Sequence, residues 1–185
     1  MEIEAKFLLE NSQEIEEFLK NYSKLKYLEI LDIYFDDENF NLLKKFNSAF
    51  RIRKENENFY ITIKRKLNNS DEMLFKRQEF EFKIDSVLFD RLKNSQFYFC
   101  FYDINLKIFP IAEIFSRRKL YLVDNLKVSI DRIFFGEHLT MDFIEIEGEE
   151  NKILNFIDVI KEKFKLKRWN LSKLETYIKF SEKFI

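Results

Sequence analysis

Three Glu-x-Glu pairs constrain this chain more than any other feature. They fall at Glu2/Glu4, Glu79/Glu81 and Glu145/Glu147, each interleaved with Ile, Phe or Ala in the opposite phase. A period of two is the signature of a β-strand, in which residues i and i+2 point the same way. Basic residues repeat the pattern: Lys6, the pair Arg51/Arg53 around Ile52, Lys64 after Ile63, and Arg118 beside Arg117. Asp131 follows Val128-Ser129-Ile130, and Lys173 falls on or near the final helix. Each such strand has one ionic face and one apolar face. The apolar face must be covered, and the ionic face must meet either bulk water or a shared hollow.

The remaining elements follow from periodicity and turn chemistry. Strands are expected over 1–8, 26–36, 48–55, 58–66, 73–84, 111–123, 126–134 and 140–148. Helices are expected over 13–24, 86–95, 150–166 and 171–183, with a loop and a short helical turn over 37–46. Asn11 and Ser12 can cap the first helix, where Ile15, Phe18, Leu19 and Tyr22 form one apolar stripe. Hairpin turns are expected around Glu55-Asn56-Glu57-Asn58 and at Asp124-Asn125, and a further loop at Leu67-Asn68-Asn69-Ser70. Segment 97–110 reads equally as strand, helix or dimer contact, with Pro110 as a stop. About eight mainly antiparallel strands define an α+β fold: an eight-stranded antiparallel β-barrel with helices packed outside, in one domain over 1–185.

Composition narrows the function. The chain has 32 basic and 33 acidic residues, a net charge of −1, which argues against a general nucleic-acid binder. With 46% apolar residues, including 23 Phe, it can build a core and is not disordered. Two Gly and one Pro exclude a collagen-like chain. The lone Cys100, in Phe97-Tyr98-Phe99-Cys100-Phe101-Tyr102, cannot form an internal disulfide and is expected as a buried, inert thiol. No apolar run is long enough to span a membrane, and Met1-Glu2-Ile3-Glu4-Ala5-Lys6 is unlike a signal peptide, so a cytoplasmic location is expected.

A single Glu-x-Glu pair is most often a solvated strand face. If every ionic face pointed outward, the barrel would enclose Ile3, Ala5, Ile52, Ile63, Phe80, Phe82 and Ile146, an ordinary core. If they point inward, seven acids (Glu2, Glu4, Glu79, Glu81, Asp131, Glu145, Glu147) meet six bases (Lys6, Arg51, Arg53, Lys64, Arg118, Lys173). Buried charge needs such compensation. Carboxylates are hard ligands for Mg²⁺ or Mn²⁺, whereas Arg and Lys bind phosphate. Both sets in one hollow suit a metal–polyphosphate complex.

The order of these motifs resembles that of the CYTH proteins, also called triphosphate tunnel metalloenzymes. Glu2-Ile3-Glu4-Ala5-Lys6 is similar to the family's opening ExExK. Tyr34-Phe35-Asp36, Phe50-Arg51-Ile52-Arg53, Thr62-Ile63-Lys64, Arg77-Gln78-Glu79-Phe80-Glu81, Ser129-Ile130-Asp131, Glu145-Ile146-Glu147 and Ser172-Lys173 follow in the family's order. Two departures stand out. Ser116-Arg117-Arg118 replaces the common Lys-x-Arg, so one cation is missing unless Arg117 or Lys119 supplies it. Gly-x-Gly is reduced to Gly136-Glu137-His138-Leu139, where the only histidine, His138, reads as a loop residue.

The resemblance implies a barrel around a tunnel. Lys6, Arg51, Arg53, Lys64, Arg118 and Lys173 would bind a triphosphate. Glu79, Glu81, Asp131, Glu145 and Glu147 would hold Mg²⁺ or Mn²⁺, and Glu2 or Glu4 would orient the attacking water. The implied activity is a metal-dependent triphosphatase acting on inorganic triphosphate, thiamine triphosphate or a nucleoside triphosphate. The alternatives are a class IV adenylate cyclase, making cyclic AMP and pyrophosphate from ATP, and a non-catalytic polyphosphate-binding module. The expected partner is thus a small-molecule triphosphate, with no nucleic acid and no membrane, and a homodimer stays open.

Overall fold

The computed structural model describes residues 1–67, 74–137 and 139–181, with backbone alone at 24 and 25. His138, Asn68-Asn69-Ser70 and the expected helical residues beyond 181 lie outside the described residues. In chain order the elements are β1 (Glu2–Leu9), α1 (Ser12–Leu19), β2 (Ser23–Asp36), α2 (Asn41–Lys44), β3 (Ser48–Glu55), β4 (Asn58–Lys66), β5 (Phe75–Ile84) and α3 (Ser86–Leu92). There follow β6 (Phe97–Phe101), β7 (Ile104–Val123), β8 (Leu126–Phe135), β9 (Leu139–Glu147), α4 (Glu150–Lys163), β10 (Lys167–Arg168) and α5 (Lys173–Ser181).

Eight strands close into an antiparallel barrel in the order β1-β5-β4-β3-β2-β7-β8-β9, with β9 pairing back to β1. Closure removes the open sheet edges of the barrel. Two short strands lie off this ring: β6 pairs with the first part of β7, and β10 with β1. The expected turns form as their chemistry requires. Asn56 takes φ 51°, and Asp124 and Asn125 take φ 48° and 67°, so the β7–β8 loop needs only two residues.

Over most of its length the apolar face of the barrel wall is its outer face; at one end Tyr34, Ile114, Ile133 and Phe143 share the phase of the ionic residues and pack with Leu174 of the last helix. Ala5, Phe7, Val128, Ile130, Ile144 and Ile146 pack beneath α1 and α4, against Ile15, Leu19, Ile153, Phe156, Ile157 and Ile160. Burial of such side chains contributes about 1.5–3 kcal/mol each. On another side, Ile33, Phe35, Phe50, Ile52 and Ile63 pack against Phe89 of α3 and Phe99, Ile104 and Ile108 of the β6–β7 hairpin. A third cluster, including Ile114, Ile133, Phe135, Phe143 and Leu174 of α5, joins that helix to the barrel. No helix among the described residues is long and apolar enough to cross a membrane.

Three local expectations are corrected. The first helix ends at Leu19 rather than at residue 24, where Asn21 Nδ2 donates to the Phe18 carbonyl and takes up a terminal acceptor. Segment 97–110 is a hairpin, and Pro110 does not stop it. Pro110 sits inside β7 opposite Phe35, beside a register shift between Tyr34 and Phe35, and bulges tolerate a residue without an N–H. Cys100 is exposed, not buried. The alternation of β6 turns Phe99 inward and leaves Tyr98 74% exposed, and Cys100 shares the phase of Tyr98.

Candidate active site

With the apolar faces turned out, the ionic faces converge inside the barrel. They line a cavity of about 660 Å³. Its walls include Glu2, Glu4, Lys6, Arg51, Arg53, Lys64, Glu79, Glu81, Arg118, Glu145, Glu147 and Lys173, twelve of the thirteen candidate residues. The thirteenth, Asp131, is 0% exposed and is not among the lining residues. Ile3, Ala5, Ile52, Ile63 and Ile146, the core of the outward alternative, pack instead in the clusters outside the wall, whereas Phe82 is exposed to solvent.

Strand register determines who meets whom. Lys64 of β4 stands opposite Glu79 of β5, and its Nζ lies 2.6 Å from Glu2 Oε1 and 3.4 Å from Glu79 Oε1. Lys6 of β1 stands opposite Glu145 of β9 and contacts it at 3.2 Å, with its Nζ 4.3 Å from the Phe143 ring centre. Thr62 donates to Glu81 at 3.3 Å, and Lys127 pairs with the more exposed Glu147 at 3.1 Å.

Two buried aspartates hold the arginines. Arg118 forks onto Asp131, with Nε 2.6 Å from Oδ1 and Nη2 on Oδ2, and Nη2 also reaches Glu145 at 2.7 Å. Arg53 forks onto Asp32 through Nε at 2.7 Å and Nη2 at 3.0 Å. Arg51 lies 3.6 Å from the same carboxylate and donates to the Tyr34 hydroxyl at 3.4 Å. Lys173, at the start of α5, donates to Asp32 Oδ2 at 2.8 Å and to Ser116 Oγ at 3.0 Å.

These pairings set the protonation states. Burial alone would raise the Asp32 carboxyl, but Arg51, Arg53 and Lys173 hold it well below its ordinary value. Burial likewise opposes ionisation of Glu145, and Lys6, Arg118 and Lys173 hold it well below its usual range. Asp131 goes the other way: burial and the neighbouring Glu145 push it up against the pull of Arg118. Burial brings the Lys173 ammonium down to about 8, although Asp32 works against this.

Sequence reasoning left out two groups that matter here. Asp32 lies two residues before Tyr34 on the same strand face, and this alternation was its signal. Arg77 lies within the Arg-x-Glu-x-Glu element, lines the cavity and reaches Glu4 at 3.1 Å and Glu2 at 4.0 Å. Neither Arg117 nor Lys119 supplies the cation missing at position 116. Both lie outside the cavity lining, where Arg117 meets Glu29 at 3.3 Å and Lys119 meets Glu16 at 2.6 Å.

The donor chemistry of this cavity fits a hard divalent ion, since its acidic groups offer only oxygen. Glu2 Oε2 and Arg51 Nε are buried with no hydrogen-bond partner, an open acceptor and an open donor on one cavity. Among the described residues no three acids are yet gathered tightly enough to hold an ion, because cations engage most of the cavity carboxylates.

A closed antiparallel barrel whose interior is lined by paired acids and bases defines a tunnel fold with an ionic interior. The chain matches the CYTH domain over residues 1–179 and belongs to that family. It is similar to a putative adenylyl cyclase from Hippeastrum described as having a dominant triphosphatase activity. That likeness has 22% identity and a TM-score of 0.80, over 97% of this chain and 96% of the other. A putative adenylate cyclase from Bacillus halodurans shares 18% identity at a TM-score of 0.70, covering 94% of each chain. A protein from Pyrococcus horikoshii shares 21% identity at a TM-score of 0.68, over 97% and 99% of the two chains. At these identities the likeness establishes the fold. No curated protein matches the sequence.

Proposed function

We propose that this protein is a divalent-metal-dependent triphosphatase that hydrolyses inorganic triphosphate or a related triphosphate inside the barrel. The observation that carries this reading is the mixed ionic lining: ten cations, among them Lys6, Arg51, Arg53, Lys64, Arg77, Arg118 and Lys173, share one cavity with eight glutamates. Phosphate binding alone would call for the cations without so many carboxylates.

Lys6, Arg51, Arg53, Lys64, Arg118 and Lys173 grip the phosphoryl oxygens, Arg through a planar fork and Lys as a point charge. Glu2, whose Oε2 accepts no hydrogen bond, joins Glu79, Glu81, Glu145 and Glu147 as the residues that would hold Mg²⁺ or Mn²⁺. A bound ion would supply positive charge that offsets the negative charge of the phosphoryl groups. Asp131 leaves the ligand set, because its carboxylate is committed to Arg118. Glu4 accepts a proton from water as its oxygen attacks the terminal phosphorus. The P–O–P bond breaks and releases diphosphate and phosphate. Substrate entry is an exchange of partners: cations pass from carboxylates to phosphates and free the carboxylates for metal.

The test is a substrate panel of inorganic triphosphate, thiamine triphosphate and ATP, each with Mg²⁺ or Mn²⁺. Phosphate release from at least one supports the reading. Cyclic AMP and pyrophosphate from ATP would replace it with a cyclase, and tight binding without turnover with a binding module.

A further inference from the structure

We propose that Asp32 is the positioning residue of the phosphate grip, a single carboxylate that fixes Arg51, Arg53 and Lys173 as one unit. The inference rests on the triphosphatase reading and deepens it. Asp32 is 0% exposed and lies outside the cavity lining, so it acts through its neighbours and not on substrate. All three of its cations do line the cavity.

The geometry is specific. The side-on fork of Arg53 uses both carboxylate oxygens, which fixes the plane of the guanidinium and spends only Nε and Nη2 on the anchor. Arg51 is held from two sides, by Asp32 and by the Tyr34 hydroxyl. Lys173 comes from a different element, α5, and is fixed by the same Oδ2 together with Ser116. Three cations against one carboxylate leave a formal excess of two positive charges at this end of the cavity. Asp32 therefore lets like charges stand side by side without splaying, and it leaves their surplus for an anion.

Removing the charge while keeping the shape should separate turnover from binding. In Asp32→Asn the three cations lose their neutralising partner, so attraction for a polyanion is kept or strengthened. Their fixed planes are lost, and a displacement of about 1 Å in a positioned group can cost about 10²-fold in rate. The expected result is kcat for inorganic triphosphate reduced about 100-fold with KM not raised. Calorimetric binding of triphosphate in chelator, where no turnover occurs, should be as tight as in the wild type or tighter. A thermal melt establishes that the variant is folded. Wild-type kcat in a folded Asp32→Asn overturns the proposal, and so does a raised KM at unchanged kcat. If that variant fails to fold, Asp32→Glu keeps the charge but moves it by one methylene, and wild-type kcat there overturns the proposal equally. A wild-type protein that turns over no triphosphate instead overturns the functional reading, and this role with it.

Discussion

Asp131→Asn decides between two roles for one carboxylate. Its sequence context predicts a metal ligand; its geometry makes it the anchor of Arg118. The substitution removes the charged acceptor of a two-pronged ion pair at a side chain that is 0% exposed. Breaking one partner of a buried pair costs about 3–5 kcal/mol. The lower end applies, because Arg118 keeps Glu145 at 2.7 Å and because burial already works against the Asp131 charge. In a domain of this size about 1 kcal/mol moves the melting midpoint by about 2–4 °C, so a cost of about 3 kcal/mol lowers it by about 6–12 °C. Calorimetric unfolding at neutral pH measures that shift, and a titration of activity with Mg²⁺ measures the metal requirement. An anchor gives a lower midpoint, a reduced kcat without weaker triphosphate binding, and an unchanged half-saturating Mg²⁺ concentration. A midpoint within about 2 °C of the wild type, less than 1 kcal/mol, together with about a tenfold higher Mg²⁺ requirement, would refute the anchoring role.

Lys173 carries a second prediction. Its ammonium titrates near 8 in the folded protein, so it is charged below that pH and neutral above it; kcat/KM for a polyanion should fall as pH rises through about 8. Lys173→Arg keeps its charge throughout and should lose that limb, so identical alkaline profiles would count against a phosphate contact there. Glu4→Gln and Glu147→Gln should each abolish phosphate release with the circular dichroism spectrum unchanged. The second is the cleaner test, because the Glu147–Lys127 pair is partly exposed and such pairs contribute about 0–1 kcal/mol. Near-normal activity in both would remove the acidic side chains from the chemistry.

The phase of nearly every site strand was legible in the sequence, because alternation fixes which residues share a face. Glu2, Glu4 and Lys6 had to point one way and Ile3, Ala5 and Phe7 the other. Which way was inward was not legible, since an ionic face suits water as well as a tunnel. That is decided by groups far off in sequence. The stripes of α1 and α4 need an apolar surface, and the outer wall offers one in Ala5, Phe7, Val128, Ile130, Ile144 and Ile146. Asp32 was missed because Leu31 and Ile33 flank it like any strand residue, and nothing local tells an anchor from a solvated carboxylate. Arg117 and Arg118 are adjacent and chemically identical, yet one enters the cavity and the other meets Glu29 outside; only the register of β7 against β8 separates them. Segment 97–110 stayed ambiguous because its run of aromatics masks period two, and its partner strand is the remainder of the same run.

A barrel with this interior keeps apolar filling only at the end where Ile114, Ile133 and Phe143 meet Leu174, and elsewhere gives up what small barrels ordinarily use. Two features offset the loss. Helices and the β6–β7 hairpin bury the outer wall, so hydrophobic stabilisation is moved outward. The interior charges are then satisfied in pairs across neighbouring strands. Pairing of this kind is weak evidence of stability, because desolvation consumes much of the Coulombic gain. That balance has a functional consequence. Lys6, Arg51, Arg53 and Lys173 are already buried and held in place, so transferring them from a carboxylate to a phosphate costs little further desolvation or side-chain entropy. Each carboxylate so released is itself half-buried and in need of a positive partner. An anion or a cation entering alone leaves the opposite set unpaired, whereas a metal–triphosphate complex repairs both at once. Metal and polyphosphate should therefore strengthen one another's binding reciprocally, as linkage requires of two ligands that share one set of charges.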